Sequence, residues 1–304
     1  MNYELRPLTL AEILDAAFRL VQTEWQTLIG LSLIMQIPVF FIAIAVPQLF
    51  DPFAQPLETG EEISEQLAFA LVAGLAGIVF FYAILYPFVA AAVTASVGNF
   101  YLGRRFDLRE AAHAGARSFL RLIAAYFVWG IAYLFAAVAV FGAAALLFGI
   151  GGALFGDVIE SMGGAGIALA VVLGIAIGGV AFFWILFAAF VSALLPPIVV
   201  LERQGVFASV RRAFRLGSTS KGRLVGILFT AGMIVGFPVA GAQMLVGMVP
   251  VLGALVWALF QAVGFAFTTA VTVVLYFDLR CRAESYDLEL LAEQVEAGPG
   301  LGHG

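Results

Sequence analysis

Charge is scarce in this chain. Only 12% of its 304 residues are Asp, Glu, Lys or Arg, against 63% hydrophobic residues and a mean hydropathy of +1.05. A water-soluble domain carries about 25% charged residues, so the shortage excludes an ordinary soluble domain and points to an integral membrane protein. Cysteine is nearly absent: Cys281 stands alone, which excludes an intrachain disulfide and any CxxC site. We read it as an ordinary reduced thiol. Histidine is limited to His113 and His303, and neither has HExxH or Cys/His ligand spacing, so no metal site is expected. GxSxG, a P-loop and paired carboxylates within apolar runs are missing too. With these gone, neither an enzyme nor a cofactor is expected.

What is present is a set of long windows without charge, lying between Glu24 and Asp51, Glu65 and Arg104, Arg121 and Asp157, Glu160 and Glu202, and Arg223 and Asp278. A helical span needs about 20 apolar residues to cross roughly 30 Å of hydrocarbon. The first four windows each fit one span. The last would reach about 80 Å as a single helix, so it must fold back, and Gly247, Pro250 and Gly253 supply turn residues in its middle. That predicts six spans.

All 15 basic residues fall at the N-terminus, between spans 2 and 3, between spans 4 and 5, or after span 6. The opposite loops carry only acids: Asp51, Glu58, Glu61, Glu62, Glu65, Asp157 and Glu160. Basic residues near spans stay on the cytoplasmic side, so both termini are expected inside. The N-terminal apolar run is too long for a cleaved signal and is expected to remain as span 1. Lys221 is the only lysine among the basic residues. With abundant Ala and Gly, this composition is associated with a GC-rich bacterial source, which places the chain in the bacterial cytoplasmic membrane.

A short string recurs before these runs: AFRL at residues 17–20 and 213–216, and FLRL at 119–122. Around the first copy, Thr9 and Glu12 read as a capping box. Leu10, Ile13, Leu14, Ala17 and Val21 share one helical face, and Glu12, Asp15, Arg19 and Gln22 the other. Around the second, Asp107 to Glu110 can start a helix whose polar stripe is Glu110, His113, Arg117 and Arg121. The third runs from about Val206, with Phe207, Val210 and Phe214 apolar and Arg211, Arg212 and Arg215 polar. The expected fold is all-α: six transmembrane helices as three hairpins, each preceded by a cytoplasmic amphipathic helix. Residues 1–296 form one transmembrane domain with repeat units of about 5–104, 105–203 and 204–290, followed by a Gly-rich tail at 297–304.

Arg19, Arg104, Arg105, Arg117, Arg121, Arg211, Arg212 and Arg215 are candidate contacts for anionic lipid headgroups, each contributing about 1 kcal/mol near a charged surface. Topology alone also demands basic inner loops. Gln36, Asn99, Gln243 and Gln261 are candidate cavity-lining residues, with interhelical hydrogen bonding as the plainer role. Gly174–Gly178 and Gly232–Gly236 are GxxxG pairs that permit close helix contact. Pro38, Pro87, Pro196, Pro197 and Pro238 can kink helices and free carbonyls.

The start LRPLTLAEILDAAFRL (residues 5–20) and the close LYFDLRCRAESYDLELLA (residues 275–292) resemble a bacterial family of six-span proteins named for the membrane domain of glycerophosphoryl diester phosphodiesterases. In some relatives this domain precedes a soluble phosphodiesterase domain carrying the metal-binding acids and histidines. The resemblance therefore implies the membrane part standing alone, without that activity. The expected role is a non-enzymatic scaffold or partner-organising protein. Its partners would be the bilayer, anionic lipids and a membrane or cytoplasmic protein, with no nucleic acid. The alternative is a lipid or small-solute transporter or channel with a cavity between the hairpins.

Overall fold

The computed structural model describes residues 6–41, 65–104, 106–161, 164–246 and 249–286. The described residues are helical with short connections. The helices are α1 (Leu10–Thr23), α2 (Trp25–Phe41), α3 (Glu65–Tyr101), α4 (Leu108–Ser161), α5 (Gly164–Ser192), α6 (Leu195–Leu201), α7 (Val206–Thr219), α8 (Lys221–Val246) and α9 (Pro250–Glu284). Five helices are long and apolar enough to cross a membrane, and a sixth results if the bent pair α1 and α2 counts as one. The five long helices close a ring: α3 packs on α4, α4 on α5, α5 on α8, α8 on α9, and α9 returns to α3.

Local chemistry accounts for the boundaries. The Thr9 hydroxyl accepts from the Glu12 N–H at 3.3 Å and the Glu12 carboxylate accepts from the Thr9 N–H at 2.6 Å, so the capping box starts α1. At Glu24 the chain turns by 89° into α2. Pro196 and Pro197 lie in the first turn of α6, where their missing donors cost nothing. Pro250 likewise opens α9 as its first residue. At the end of α3, Gly103 takes φ 72° while the Arg104 N–H reaches back to the Asn99 carbonyl at 2.9 Å. This is a Schellman-type stop, which favours glycine at that position.

The second AFRL-like copy departs from the expectation of a separate helix. Residues 108–121 are continuous with the apolar run in one helix, α4, ending at Ser161. Asp107 starts it, with its side chain accepting from the Leu108 N–H at 2.7 Å. The residues directly after Arg121, Leu122 to Trp129, include no proline or glycine to break it, and Leu, Ile and Ala sustain the helix there. Asp157 and Glu160, expected in a loop, lie within this helix. The third copy, α7, is separate from α8, but its buried face is Ser209, Ala213, Leu216 and Gly217. Phe207 and Phe214 point outward instead.

Burial is uneven along the bundle. The core gathers where the C-terminal ends of α3, α6 and α9 meet the N-terminal parts of α4 and α8, with α1 and α7 packed alongside. Val89–Val93 of α3 and Val271–Phe277 of α9 are almost wholly buried. Toward the other end, Phe69, Phe80, Phe135, Phe141, Ile175 and Phe237 are exposed. In water, apolar area costs about 25 cal/mol per Å², and a contiguous exterior of this kind would aggregate. A Cβ on Gly178, Gly232 or Gly236 would meet nothing within 4 Å among the described residues, whereas one on Gly264 would fall on Val235.

Candidate functional site: a basic cavity and two ion-pair clusters

The arginines gather at the well-packed end, where they have different partners. Asp278 of α9 is buried, with its side chain 0% exposed. Arg223 Nε donates to its Oδ2 at 2.8 Å, Arg282 Nε to Oδ1 at 3.1 Å, and the Leu8 N–H to Oδ1 at 2.7 Å. Arg223 and Arg282 also donate through Nη2 to the Leu8 carbonyl. One peptide unit on each side of Leu8 is thus satisfied by α8 and α9. This latch explains how a segment without regular structure can be seated beside a buried core.

A second cluster centres on Glu202, at the end of α6. Its carboxylate accepts from the Tyr276 hydroxyl, pairs with Arg212 of α7, and accepts from Gln204 at 2.8 Å. Arg212 also reaches Glu284 of α9 at 2.8 Å, as do Arg280 at 3.2 Å and Arg215 at 3.4 Å. Burial works against the Arg212 cation, but its bonds to Glu202 and Glu284 outweigh burial and hold its pKa above the ordinary value. The guanidinium of Arg280 lies 3.6 Å from the Tyr286 ring centre, a cation–π contact. Three elements, α6, α7 and α9, are tied here by two carboxylates.

Between these helices and α4 lies a cavity of about 800 Å³. The stripe Glu110, His113, Arg117 and Arg121 lines it from α4, as does Ser118; all share one face of that helix. Asn99 and Arg104 enter from the end of α3, Glu202 and Arg203 from the end of α6, and Tyr276 and Arg280 from α9. Arg121 donates to the Arg203 carbonyl at 3.2 Å. Along the same helices, a smaller pocket of about 110 Å³ is lined by Tyr86, Thr94, Tyr126, Thr268, Thr269 and Thr272. The buried Thr94 hydroxyl has no hydrogen-bond partner among the described residues.

The residues singled out from sequence therefore scatter. Arg104, Arg117, Arg121 and Asn99 come together at the cavity. Arg212 and Arg215 are held in the Glu284 cluster, and exposed Arg19 pairs within its own helix with Asp15 at 2.9 Å. Arg211 is exposed on α7. Gln36 is buried on α2, Gln261 is half-buried on α9 and Gln243 is exposed on α8. Arg105 and His303 lie outside the described residues, as does the tail at 297–304. Sequence reasoning missed the roles of Glu202, Tyr276 and Asp278. A signal existed in their placement: each is a polar group at the edge of a charge-free window. Among the described residues, no group of three His, Cys, Asp or Glu side chains is placed to hold a metal ion.

The long apolar helices and apolar exterior define the class: a multi-pass helical membrane protein. Comparison with family models, curated proteins and solved structures returns no match for the chain.

Proposed function

We propose that the chain is a non-enzymatic membrane scaffold: six spans arranged as three hairpins, with both termini and the basic end in the cytoplasm of a bacterium. The observation that carries this reading is the pair of ion-pair clusters, which bind the N-terminal segment, α6, α7, α8 and α9 into one block. Such a block presents a fixed surface to a partner or to the inner leaflet. The positive-inside asymmetry orients it. Phe18 of α1 and Phe207 of α7 are exposed apolar side chains on short helices with polar faces, which suits helices lying in the headgroup layer. The resemblance of residues 5–20 and 275–292 to the membrane domain of glycerophosphoryl diester phosphodiesterases agrees with this architecture and lends it no activity.

The test is complementation. In cells lacking the chain, a version whose α1, residues 108–121 and α7 outer faces carry unrelated amphipathic sequence should insert but fail to restore the wild-type phenotype. Full restoration would remove the scaffold reading. Purified protein is also expected to release no glycerol phosphate from glycerophosphodiesters with or without divalent metal.

A second reading, a small-solute path, is favoured by one observation: the pocket around Thr94 lies along the same three helices as the basic cavity. Tyr276 and Thr272 are one turn apart on α9, the first in the cavity and the second in the pocket. Proteoliposomes in a stopped-flow glycerol gradient measure it. On this reading Tyr276→Ala raises permeability several-fold over the wild type; equal rates for wild type, variant and empty liposomes would count against it.

A further inference from the structure

We propose that the basic cavity is a binding site for a phosphate-bearing anion, held by Arg104, Arg117, Arg121 and Arg203. This goes beyond the scaffold reading and does not depend on it.

Carboxylates at this end are distributed selectively. Arg212, Arg215, Arg223, Arg280 and Arg282 each pair with Glu202, Glu284 or Asp278. Arg104, Arg117, Arg121 and Arg203 line one cavity, and none of them makes an ion pair with a described residue. Arg104, Arg117 and Arg203 are exposed and Arg121 is half-buried, so water and salt screen part of their repulsion, yet gathering four such cations in one concave space remains unfavourable. An anion reverses the sign. The two carboxylates in the cavity offset the repulsion only in part: Glu202 is occupied by Tyr276, Arg212 and Gln204, and Glu110, which accepts from the Asp107 N–H at 3.3 Å, is a single charge against the four arginines.

The backbone supplies a second, independent observation. Arg203 follows Glu202, the C-cap of α6, and takes φ 54°, a left-handed conformation. Glycine is the usual residue at that position, because a Cβ is strained there. Here an arginine occupies it, and its carbonyl accepts from Arg121. A strained non-glycine residue that also lines a charged cavity indicates selection for its side chain over local comfort. The chemistry of that side chain narrows the ligand. Guanidinium groups are planar forks that meet phosphate oxygens two at a time, and several of them suit an anion with several oxygens. The volume is within the range of small-molecule sites, about 300–1,000 Å³, and admits a phosphate with its ester substituent. Asn99 and the mostly buried Ser118 add polar groups to the wall.

Two sources carry this chemistry, an acidic phospholipid headgroup and a soluble phosphate ester. The full chain in phosphatidylcholine nanodiscs is titrated with inorganic phosphate and sn-glycerol 3-phosphate by calorimetry. In a second arm, native mass spectrometry counts phosphatidylglycerol retained from mixed nanodiscs. Saturable binding is expected in at least one arm. Lipid retention alone identifies a headgroup site, and calorimetric binding identifies a soluble ester. Arg117→Gln and Arg104→Gln each weaken the binding about fivefold, while Arg211→Gln, on the exposed face of α7, leaves it unchanged. Should Arg117→Gln fail to fold, Arg104→Gln carries the same expectation. Arg203→Gly is the most discriminating variant: it weakens binding by a similar factor yet raises the unfolding temperature of the ligand-free protein. No saturable binding in either arm would overturn the proposal. So would an equal loss in Arg211→Gln, which would reduce the effect to general surface charge.

Discussion

The backbone N–H of Leu8 donates to Asp278 Oδ1 at 2.7 Å, joining residues 270 positions apart. The contact unites the two most distinctive stretches of the chain, LRPLTLAEIL near the start and YFDLRCR near the close. They are separate strings in the sequence and one structure in the fold. Arg223 and Arg282 complete it by bonding both Asp278 and the Leu8 carbonyl.

Removing the charge of Asp278 should therefore loosen two elements together. Breaking a buried ion pair costs about 3–5 kcal/mol. Arg223 and Arg282 are 23% and 36% exposed and can be partly rehydrated, so Asp278→Asn should cost toward the lower end, about 3 kcal/mol. Unfolding in detergent micelles measures it; a loss under about 0.5 kcal/mol would show that the latch contributes little.

The Glu202 cluster should behave as a unit. Tyr276→Phe removes one hydrogen bond to a charged acceptor, an expected loss of about 1.5–3 kcal/mol. Glu202→Gln and Arg212→Gln should be non-additive, with a coupling of about 0.5–3 kcal/mol in a double-mutant cycle. Additive losses would mean that the two side chains act separately.

How much of this was legible in the sequence varied with the range of the interaction. The Thr9 and Glu12 capping box, the Asp107 start of α4 and the Val206 start of α7 are local, and the sequence carried them. The stripe Glu110, His113, Arg117 and Arg121 was also legible, but its direction was not. It lines a cavity completed by α3, α6 and α9. Only the ends of distant helices decide that. Asp278 looked like the polar close of an apolar window, and its partners, Leu8 and Arg223, are 270 and 55 residues away. GxxxG spacing permits a close contact but says nothing of which face meets a neighbour; Gly264, outside both pairs, makes the close approach to Val235.

That glycine gives a sharp contrast. In Gly264→Ala the new methyl would fall on Val235 Cγ1 of α8, and a β-branched side chain has little room to rotate away. The expected cost is about 1–3 kcal/mol of overpacking. Gly236→Ala adds a methyl where nothing lies within 4 Å among the described residues, so it should leave unfolding unchanged or stabilise the helix by up to about 1 kcal/mol. The reverse ranking would contradict the packing of α8 on α9.

The start of α1 should be acid-sensitive. The Glu12 carboxyl is lowered from 4.5 to about 2, chiefly by the Thr9 N–H and then by Arg6. A depressed folded-state pKa contributes stability that is complete above the unfolded value and lost as pH falls through the folded one. Amide exchange at the first turn of α1 should thus be constant above pH 4.5, after correction for intrinsic rates, and lose protection between about 4.5 and 2. Glu12→Gln should abolish the dependence; an unchanged profile in that variant would assign the effect to another group.

The most direct measurement follows the Leu8 latch itself. Hydrogen exchange of residues 8–23 in nanodiscs, at neutral pH, compares the wild type with Asp278→Ala. With the basic end a single preassembled block, Leu8 and the first turn of α1 exchange slowly in the wild type and many-fold faster in the variant, while the middle of α4 is unaffected. Equal and rapid exchange of Leu8 in both proteins would contradict it.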